Sequence, residues 1–173
     1  ATANDYLDKS NFYDYQVTST LGFEDEDVEA LSEVSSVETA EGSISVDVLF
    51  TPEGEDADKV LKLHSLPENI NTLQLESGRM PEAENEIVVD YSLFDESALG
   101  STVRISQNNE EDTLDMLKYE EYTIVGTVTS PIYLNFERGS TALGDGSVSG
   151  FAYIPKDGFD VDYYTEVYLL LDQ

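Results

Sequence analysis

Alternating apolar and polar residues along most of the chain predict a structure rich in β-strands. In residues 119–129, for example, Tyr122, Ile124 and Val128 fall on one side of an extended chain. Similar short runs predict strands at residues 12–21, 37–50, 59–66, 86–90, 101–107, 119–129, 151–154 and 162–172. Residues 37–66, with a charged turn in the middle, are predicted to form one long hairpin. The molecule is therefore expected to be built mainly from sheets.

Two stretches have helical character. Residues 24–34 place Val28, Leu31 and Val34 at helical spacing, and acidic residues crowd the first turn, where they favour the helix dipole. Residues 91–99 predict a short helix that ends at a glycine cap. Because no strand–helix–strand unit repeats along the chain, the pattern favours the α+β class, with a mixed or antiparallel sheet, over a doubly wound fold.

The connection between the middle strands reads GRMPEAENEIVVD, residues 78–90. Gly78 and Pro81 predict a turn, because glycine tolerates positive φ and proline fixes φ at about −65°. Arg79 is expected to pair with one of the three glutamates that follow it or with a backbone carbonyl, and the segment is predicted to be a hinge-like crossing outside the sheets. A second connector, residues 139–150, is rich in Gly and Ser but has no lysine, which favours a turn over a phosphate-binding loop.

Charge narrows the set of partners. The 173 residues include 37 Asp and Glu against 8 Lys and Arg, a formal net charge of −29 at pH 7. Such a surface repels phosphates, so nucleic acid and anionic lipid are poor partners, whereas a cationic partner would be attracted. General solubility explains the same charge, and the sequence leaves both explanations open.

The residue types that carry most enzymatic chemistry are scarce. The absence of cysteine removes disulfides, thiol catalysis and Cys-based metal sites. The one histidine, His64, has no second histidine with which to bind zinc, and Ser65 points to the opposite face of the same strand, so His64 is interpreted as a polar strand position. No nucleophile elbow, Walker loop or dinucleotide fingerprint is present. We therefore predict a non-enzymatic module with no catalytic, cofactor-binding or metal-binding residues.

Three segments, in order, resemble one protein family. They are LESGRMP at residues 75–81 with ENEIVV at 84–89, LF at 93–94 leading to ALGSTV at 98–103, and YTIVGTV at 122–128. This set resembles the extracytoplasmic domain of FtsX-like, MacB-type ABC transporter permeases, which implies a MacB-like periplasmic core fold. The motif positions are expected to have structural roles: Gly78, Arg79, Pro81, Glu86, Gly100 and Gly126.

The resemblance implies a domain between the first and second membrane helices of a permease, on the extracytoplasmic face of a bacterial, Gram-positive-type cell membrane. It also implies a mixed-sheet core lobe at about residues 1–36 and 86–173 and an inserted β-rich lobe at about 37–85. The implied partners are the rest of the permease, a cytoplasmic ATPase subunit, and a peptide, a lipid-linked substrate or an envelope protein. The two lobes would move as near-rigid bodies and couple ATP hydrolysis to export or mechanical signalling.

Two other functions are compatible with the residues. A free-standing cell-surface binding or adhesion module would carry the same strands without flanking membrane helices. A hydrolase with a pair of acidic residues also fits the composition, although no pair stands out among the many Asp and Glu. The permease domain is the primary prediction, because the motifs occur in order and no reaction centre is evident.

Overall fold

The computed structural model describes residues 9–134 and 138–172. These ranges contain two α-helices and ten strands: β1 (Tyr15–Phe23), α1 (Asp25–Ser32), β2 (Val37–Ser43), β3 (Ser45–Thr51), β4 (Lys59–Ser65), β5 (Gln74–Gly78), β6 (Glu86–Asp90), β7 (Thr102–Ile105), α2 (Glu111–Asp115), β8 (Glu121–Thr129), β9 (Gly150–Ile154) and β10 (Tyr164–Leu171). Two short 3-10 helices lie at Glu96–Ala98 and Lys156–Gly158. None of the helices in the described ranges is long and apolar enough to cross a membrane.

Seven strands form one mixed sheet in the order β5-β8-β6-β9-β4-β3-β7. β7 also pairs with β8, and this pairing closes six of the strands into a ring. The β6–β8 and β4–β9 pairs are parallel, and the other pairs of this sheet are antiparallel. β5 lies outside the ring and pairs with the second half of β8. We call the ring, together with β5, the barrel.

The interior of the barrel is filled by alternate residues of its six ring strands. Because successive side chains of a strand point to opposite faces, residues separated by one position reach the same interior. Each strand contributes one buried pair to the core: Val48 and Phe50, Leu61 and Leu63, Ile87 and Val89, Val103 and Ile105, Tyr122 and Ile124, and Ala152 and Ile154. Each fully buried Val, Leu, Ile or Phe side chain contributes about 1.5–3 kcal/mol, so this interior is the main source of stability. A second buried cluster lies on the outer face and contains Val88, Val128, Phe151 and Tyr153.

Three further strands form an antiparallel sheet in the order β1-β10-β2, which we call the small sheet. α1 packs against β2 and β1. The first and last strands of the described ranges, β1 and β10, are neighbours here. The N–H of Asp14 donates to the carbonyl of Leu169 at 2.8 Å, and the N–H of Leu171 donates to the Asp14 carboxylate at 2.8 Å. The start of β1 and the end of β10 therefore lie side by side.

The predicted α+β class, with few helices and a mixed sheet, is confirmed. The helix predicted at 24–34 is α1, and the helix predicted at 91–99 is reduced to one short 3-10 helix. The long hairpin predicted for 37–66 is wrong in its first half, because β2 pairs with β10 and only β3 and β4 form a hairpin. The alternating pattern continues through Ile44 and could not show this change of sheet. The connection between β7 and β8 contains α2.

The division into a core lobe and an inserted lobe of residues 37–85 stays a prediction. The two sheets divide the chain at different residues from the predicted lobes. All barrel strands come from residues 45–154, whereas the strands of the small sheet come from residues 15–43 and 164–171. β3, β4 and β5, which fall in the predicted inserted lobe, are hydrogen-bonded to strands of the predicted core lobe. The chain passes from the small sheet to the barrel at residues 43–45, which we call the sheet junction.

Candidate functional site

The predicted motif residues gather around β8, where the chain passes over that strand. β5 and β6 lie on opposite sides of β8, so residues 79–85 must cross it. Gly78 has a φ of 74°, and a Cβ at this position would lie 2.1 Å from the carbonyl oxygen of Val125. A Cβ on Gly126 would lie 2.4 Å from the carbonyl oxygen of Arg79. Glycine at both positions therefore allows the two backbones to approach this closely.

Arg79 and Glu86 bind each other across the two ends of this connection. Nη1 of Arg79 donates to Oε1 at 3.0 Å and Nη2 donates to Oε2 at 2.6 Å, which makes a bidentate pair. Oε1 also accepts from the N–H groups of Glu82 at 2.8 Å and Ala83 at 3.0 Å. The hydrogen bonds from Arg79, followed by those from the backbone, lower the pKa of Glu86 to about 2. The pairing of Arg79 with one of the glutamates, expected from the sequence, is present.

The other two motif residues, Gly100 and Pro81, also lie next to β8. Gly100 follows the 3-10 helix Glu96–Ala98, has a φ of 90°, and donates its N–H to the carbonyl of Ile124 in β8 at 2.8 Å. Pro81 is partly buried in the connection over β8, which contains no strand residue between 79 and 85. The structure thus brings the motif residues to one strand, and their importance for function stays a prediction, as does hinge-like movement of the connection.

A cleft of about 510 Å³ lies between the small sheet and the barrel. This volume is in the range of sites that bind small molecules, and such sites often lie between structural units. The aromatic and charged side chains that line it are Tyr13, Lys62, His64, Tyr133, Arg138, Glu166 and Tyr168. Sequence reasoning missed this group, because its members come from β4, β10 and two non-strand segments that only the fold brings together.

His64 is buried in the wall of the cleft and is uncharged. His64 is 3 % exposed, and the Nε2 atom of its ring lies 2.6 Å from the Tyr133 hydroxyl oxygen. Burial, followed by the positive charge of Lys62, lowers the pKa of His64 to about 3. The interpretation of His64 as a polar strand position did not foresee this burial, since the alternating pattern of β4 gives no sign that its outer face is covered.

Glu166 lies at the sheet junction and lines the same cleft. It is 3 % exposed, and its Oε2 accepts hydrogen bonds from the Ser45 hydroxyl at 3.2 Å and from the Thr165 hydroxyl. Burial raises the pKa of Glu166. The Thr165 hydroxyl oxygen also accepts from the N–H of Ser45 at 2.8 Å. Neighbouring residues of β10 therefore hold the first residue of β3 in place.

One residue of a buried ion pair, Arg138, lines the cleft. Arg138 donates from Nε to Oδ2 of Asp90 at 2.6 Å and from Nη2 to Oδ1 at 3.2 Å, and its Nη2 also donates to the Ser92 hydroxyl at 2.9 Å. The side chains of Arg138 and Asp90 are 2 % and 0 % exposed. The guanidinium carbon also lies 5.3 Å from the ring centroid of Phe151. This pair fixes the segment after β8 against the end of β6.

The cleft has the features of a binding site. Within the described part of the chain, no group of three or more His, Asp or Glu side chains is placed to hold a metal ion. The partner of His64 is the phenol of Tyr133, whose pKa is raised, first of all by burial, so this pair is suited to hydrogen bonding rather than to nucleophilic attack. The cleft offers a ligand aromatic rings, hydroxyl groups, the carboxylate of Glu166 and the cationic side chains of Lys62 and Arg138.

Comparisons with known proteins agree with the geometry. The family model for the MacB-like periplasmic core domain matches residues 2–173. The fold is similar to the crystal structure of the extracellular domain of the noncanonic ABC-type transporter YknZ from Gram-positive bacteria, with a TM-score of 0.55 and 16% identity over 94% of this chain and 82% of that chain. It is also similar to the periplasmic region of MacB from Actinobacillus actinomycetemcomitans, with a TM-score of 0.51 and 13% identity over 91% of this chain and 67% of that chain. No curated protein matches the sequence. The match over nearly the whole chain shows that the protein belongs to the MacB-like periplasmic core domain family of ABC transporter permeases.

Proposed function

We propose that this domain transmits motion, driven by ATP hydrolysis in a cytoplasmic ATPase subunit, to the extracytoplasmic side of the membrane. The outcome is export of a substrate or a mechanical signal to an envelope protein, and the domain itself makes and breaks no bond. The family match and the fold shared with the extracellular domain of YknZ support this function.

The observation that carries the proposal is the arrangement of the first and last strands. Asp14 and Leu171 are hydrogen-bonded neighbours, and the N–H of Asp172 donates to the carbonyl of Ser36 at 3.0 Å. If one membrane helix leads into β1 and another follows β10, both act on the same small sheet. A displacement of one helix relative to the other would then act directly on the β1–β10 pair.

The contacts between the small sheet and the barrel offer a route for that displacement. The Ser45–Thr165 hydrogen bond holds the sheet junction, and the Glu41 carboxylate in β2 accepts from the N–H groups of Glu68 at 3.1 Å and Asn69 at 2.8 Å. Because the barrel is closed and has a packed interior, it would respond as a near-rigid body. Movement of the small sheet would therefore reorient the barrel about these contacts.

A free-standing surface binding module is the second candidate, because a cleft of ligand size could serve binding without transport. The two functions differ in one testable respect. The permease domain requires a membrane helix on each side of the domain, whereas the binding module needs a single anchor.

The test uses the full-length permease with its ATPase. Because the chain contains no cysteine, a Glu53→Cys variant in the exposed turn between β3 and β4 provides a single label position in the domain. A membrane-impermeant maleimide is expected to label it in intact cells, and an environment-sensitive fluorophore there is expected to respond to ATP with the active ATPase but not with an inactive one. Labelling only after permeabilisation, or a fluorescence signal that ATP leaves unchanged, would contradict the proposal.

A further inference from the structure

We propose that the free edge of β1 binds an extended segment of a partner protein, which adds a fourth strand to the small sheet and which has an uncharged centre between basic ends. Strand addition of this kind takes its affinity from main-chain hydrogen bonds and its specificity from side chains along the added strand. The proposal goes beyond the ATP-driven movement described above and does not require it.

β1 is one of three edge strands in the described ranges. In the small sheet, with the order β1-β10-β2, both β1 and β2 have one side without a neighbouring strand, and β5 has the same position in the barrel. About half of the N–H and C=O groups of an edge strand point away from its sheet, where they can pair with another chain. The free side of β1 therefore offers hydrogen-bonding groups to an added strand.

β1 differs from the other two edges in its lack of charge. Its nine residues, YQVTSTLGF, include no Asp, Glu, Lys or Arg. β2, in contrast, contains Glu38 and Glu41, and β5 contains Glu76. Charged side chains on edge strands are a common means by which proteins prevent pairing with other chains. Of the three edges, β1 is thus the one that lacks this protection.

Exposed apolar side chains lie on the same strand. Leu21 is 93% exposed and Tyr15 is 60% exposed, the two highest values among the large hydrophobic residues in the part of the chain that the structure describes. Residues 19–22 have no paired residue in β10, because the register shifts between Thr18 and Phe23. The regular part of the edge is therefore Tyr15–Thr18, and a strand added there would cover the Tyr15 ring and gain apolar burial.

Charges at the two ends of β1 determine which partner fits. One exposed acidic residue precedes the strand and four follow it: Asp14, Glu24, Asp25, Glu26 and Asp27. Within residues 9–134 and 138–172, no Lys or Arg lies within ion-pair distance of these five. A strand along β1 has an end near each acidic group, whichever way it runs, so basic residues at both ends are favoured. A second copy of β1 would bring its own acidic flanks and be repelled.

The experiment titrates the 173-residue chain with a nine-residue peptide, acetylated and amidated, that has two lysines at each end and five central residues alternating between valine and threonine. Binding is followed by calorimetry and by NMR of the backbone amides. The amide signals of residues 15–18 are expected to shift. Exchange of the outward N–H groups of β1 with solvent is expected to slow about tenfold, because these groups gain acceptors.

Two altered peptides separate the backbone from the charge. N-methylation of the five central amides removes the donors, keeps the charge, and is expected to weaken binding at least about tenfold. Replacing the four lysines by glutamates keeps the donors and is expected to weaken binding at least about tenfold in ~0.05 M salt.

A variant of the protein locates the site. Tyr15→Lys places a charge on the free edge and is expected to weaken binding about fivefold. The matched control, Tyr91→Lys, makes the same charge change at a tyrosine outside β1 that is 46% exposed, and is expected to change binding by less than about twofold. The N-methylated peptide tests the unaltered protein, so the proposal can be refuted even if Tyr15→Lys impairs folding.

Four results would overturn the proposal: no binding of the lysine-ended peptide, undiminished binding of its N-methylated form, equal effects of Tyr15→Lys and Tyr91→Lys, and shifts confined to residues outside β1. Concentration-dependent shifts at residues 15–18 without peptide, together with a dimer in analytical ultracentrifugation, would assign the edge to a second copy of the chain instead. Failure of peptide binding with an intact ATP response in the labelled permease would reject this surface and leave the proposed function standing.

Discussion

The barrel and the small sheet are stabilised in different ways. Each of the six ring strands sends two apolar side chains into one interior, and the buried Asp90–Arg138 pair fixes a segment against the outside. In the small sheet, most residues of β1 are exposed to solvent, and one of the buried residues is the acidic Glu166. Its connection to the barrel includes hydrogen bonds of Thr165, Glu166 and Glu41. A closed apolar interior resists rearrangement, whereas polar contacts can be exchanged at small cost, so the boundary between the two regions is where movement is expected.

The largest expected effect concerns the barrel. Asp90→Asn removes the charge that faces the buried guanidinium of Arg138, and breaking a buried ion pair in this way costs about 3–5 kcal/mol. The free energy of unfolding, measured with urea, is expected to fall by that amount, while the exposed control Asp162→Asn leaves it nearly unchanged. Equal stability of the two variants would show that the barrel does not depend on this pair.

The next effect tests the crossing over β8. Gly78→Ala brings a Cβ to 2.1 Å from a backbone oxygen, whereas Gly54→Ala, at nearly the same φ (78° against 74°), meets nothing within 4 Å. Both variants place an alanine at a positive φ and share the cost of that conformation. The difference between their free energies of unfolding therefore measures the cost of the steric clash at Gly78. Gly78→Ala is expected to be less stable than Gly54→Ala by about 1–3 kcal/mol in urea unfolding. No difference between them would mean that the crossing tolerates a wider separation of the strands.

A smaller effect is expected at the sheet junction. Thr165→Val removes the acceptor for the N–H of Ser45 and a donor to Glu166, and the loss is expected to be about 1 kcal/mol. Thr165→Ser keeps the hydroxyl and serves as the control. Hydrogen exchange at the N–H of Ser45 should become faster in Thr165→Val than in Thr165→Ser. An unchanged exchange rate would mean that the Thr165 hydroxyl does not stabilise the sheet junction.

The smallest effect is a pH dependence in the connection over β8. The pKa of Glu86 is lowered from its ordinary value of 4.5 to about 2 in the folded chain, first of all by Arg79. Its contribution to stability is therefore present above pH 4.5 and is lost as the pH falls toward about 2. Unfolding curves of wild type and Glu86→Gln should differ near pH 6 and converge in this window, whereas Glu82→Gln, whose carboxylate lies 4.0 Å from Arg79 and is 79% exposed, should follow wild type throughout.

Much of the barrel could be predicted from sequence, because its strands carry the two-residue period that a one-sided interior imposes. Tyr122 and Ile124 are an example that both the pattern and the structure place on the interior side of a strand, whereas Ile87–Val89 is an unbroken apolar run because Val88 is buried on the outer face. The change of sheet at Ile44 could not be predicted, since alternation shows which side of a strand is apolar but not which strand pairs with it. For the same reason the cleft was missed, because Tyr13 and Tyr168 are far apart in sequence and come together only through the β1–β10 pairing.

The central claim, that the small sheet and the barrel move relative to each other when ATP is hydrolysed, is tested most directly by a distance. Spin labels at Glu29→Cys on α1 and Glu53→Cys on the barrel, both exposed positions, report the separation of the two regions in the full-length permease by pulsed electron paramagnetic resonance. The distance distribution is expected to shift when ATP and vanadate trap the ATPase, while a pair within the barrel, Glu53→Cys with the exposed Glu76→Cys in β5, is expected to keep its distance. An unchanged Glu29–Glu53 distance in a permease that remains active would contradict it.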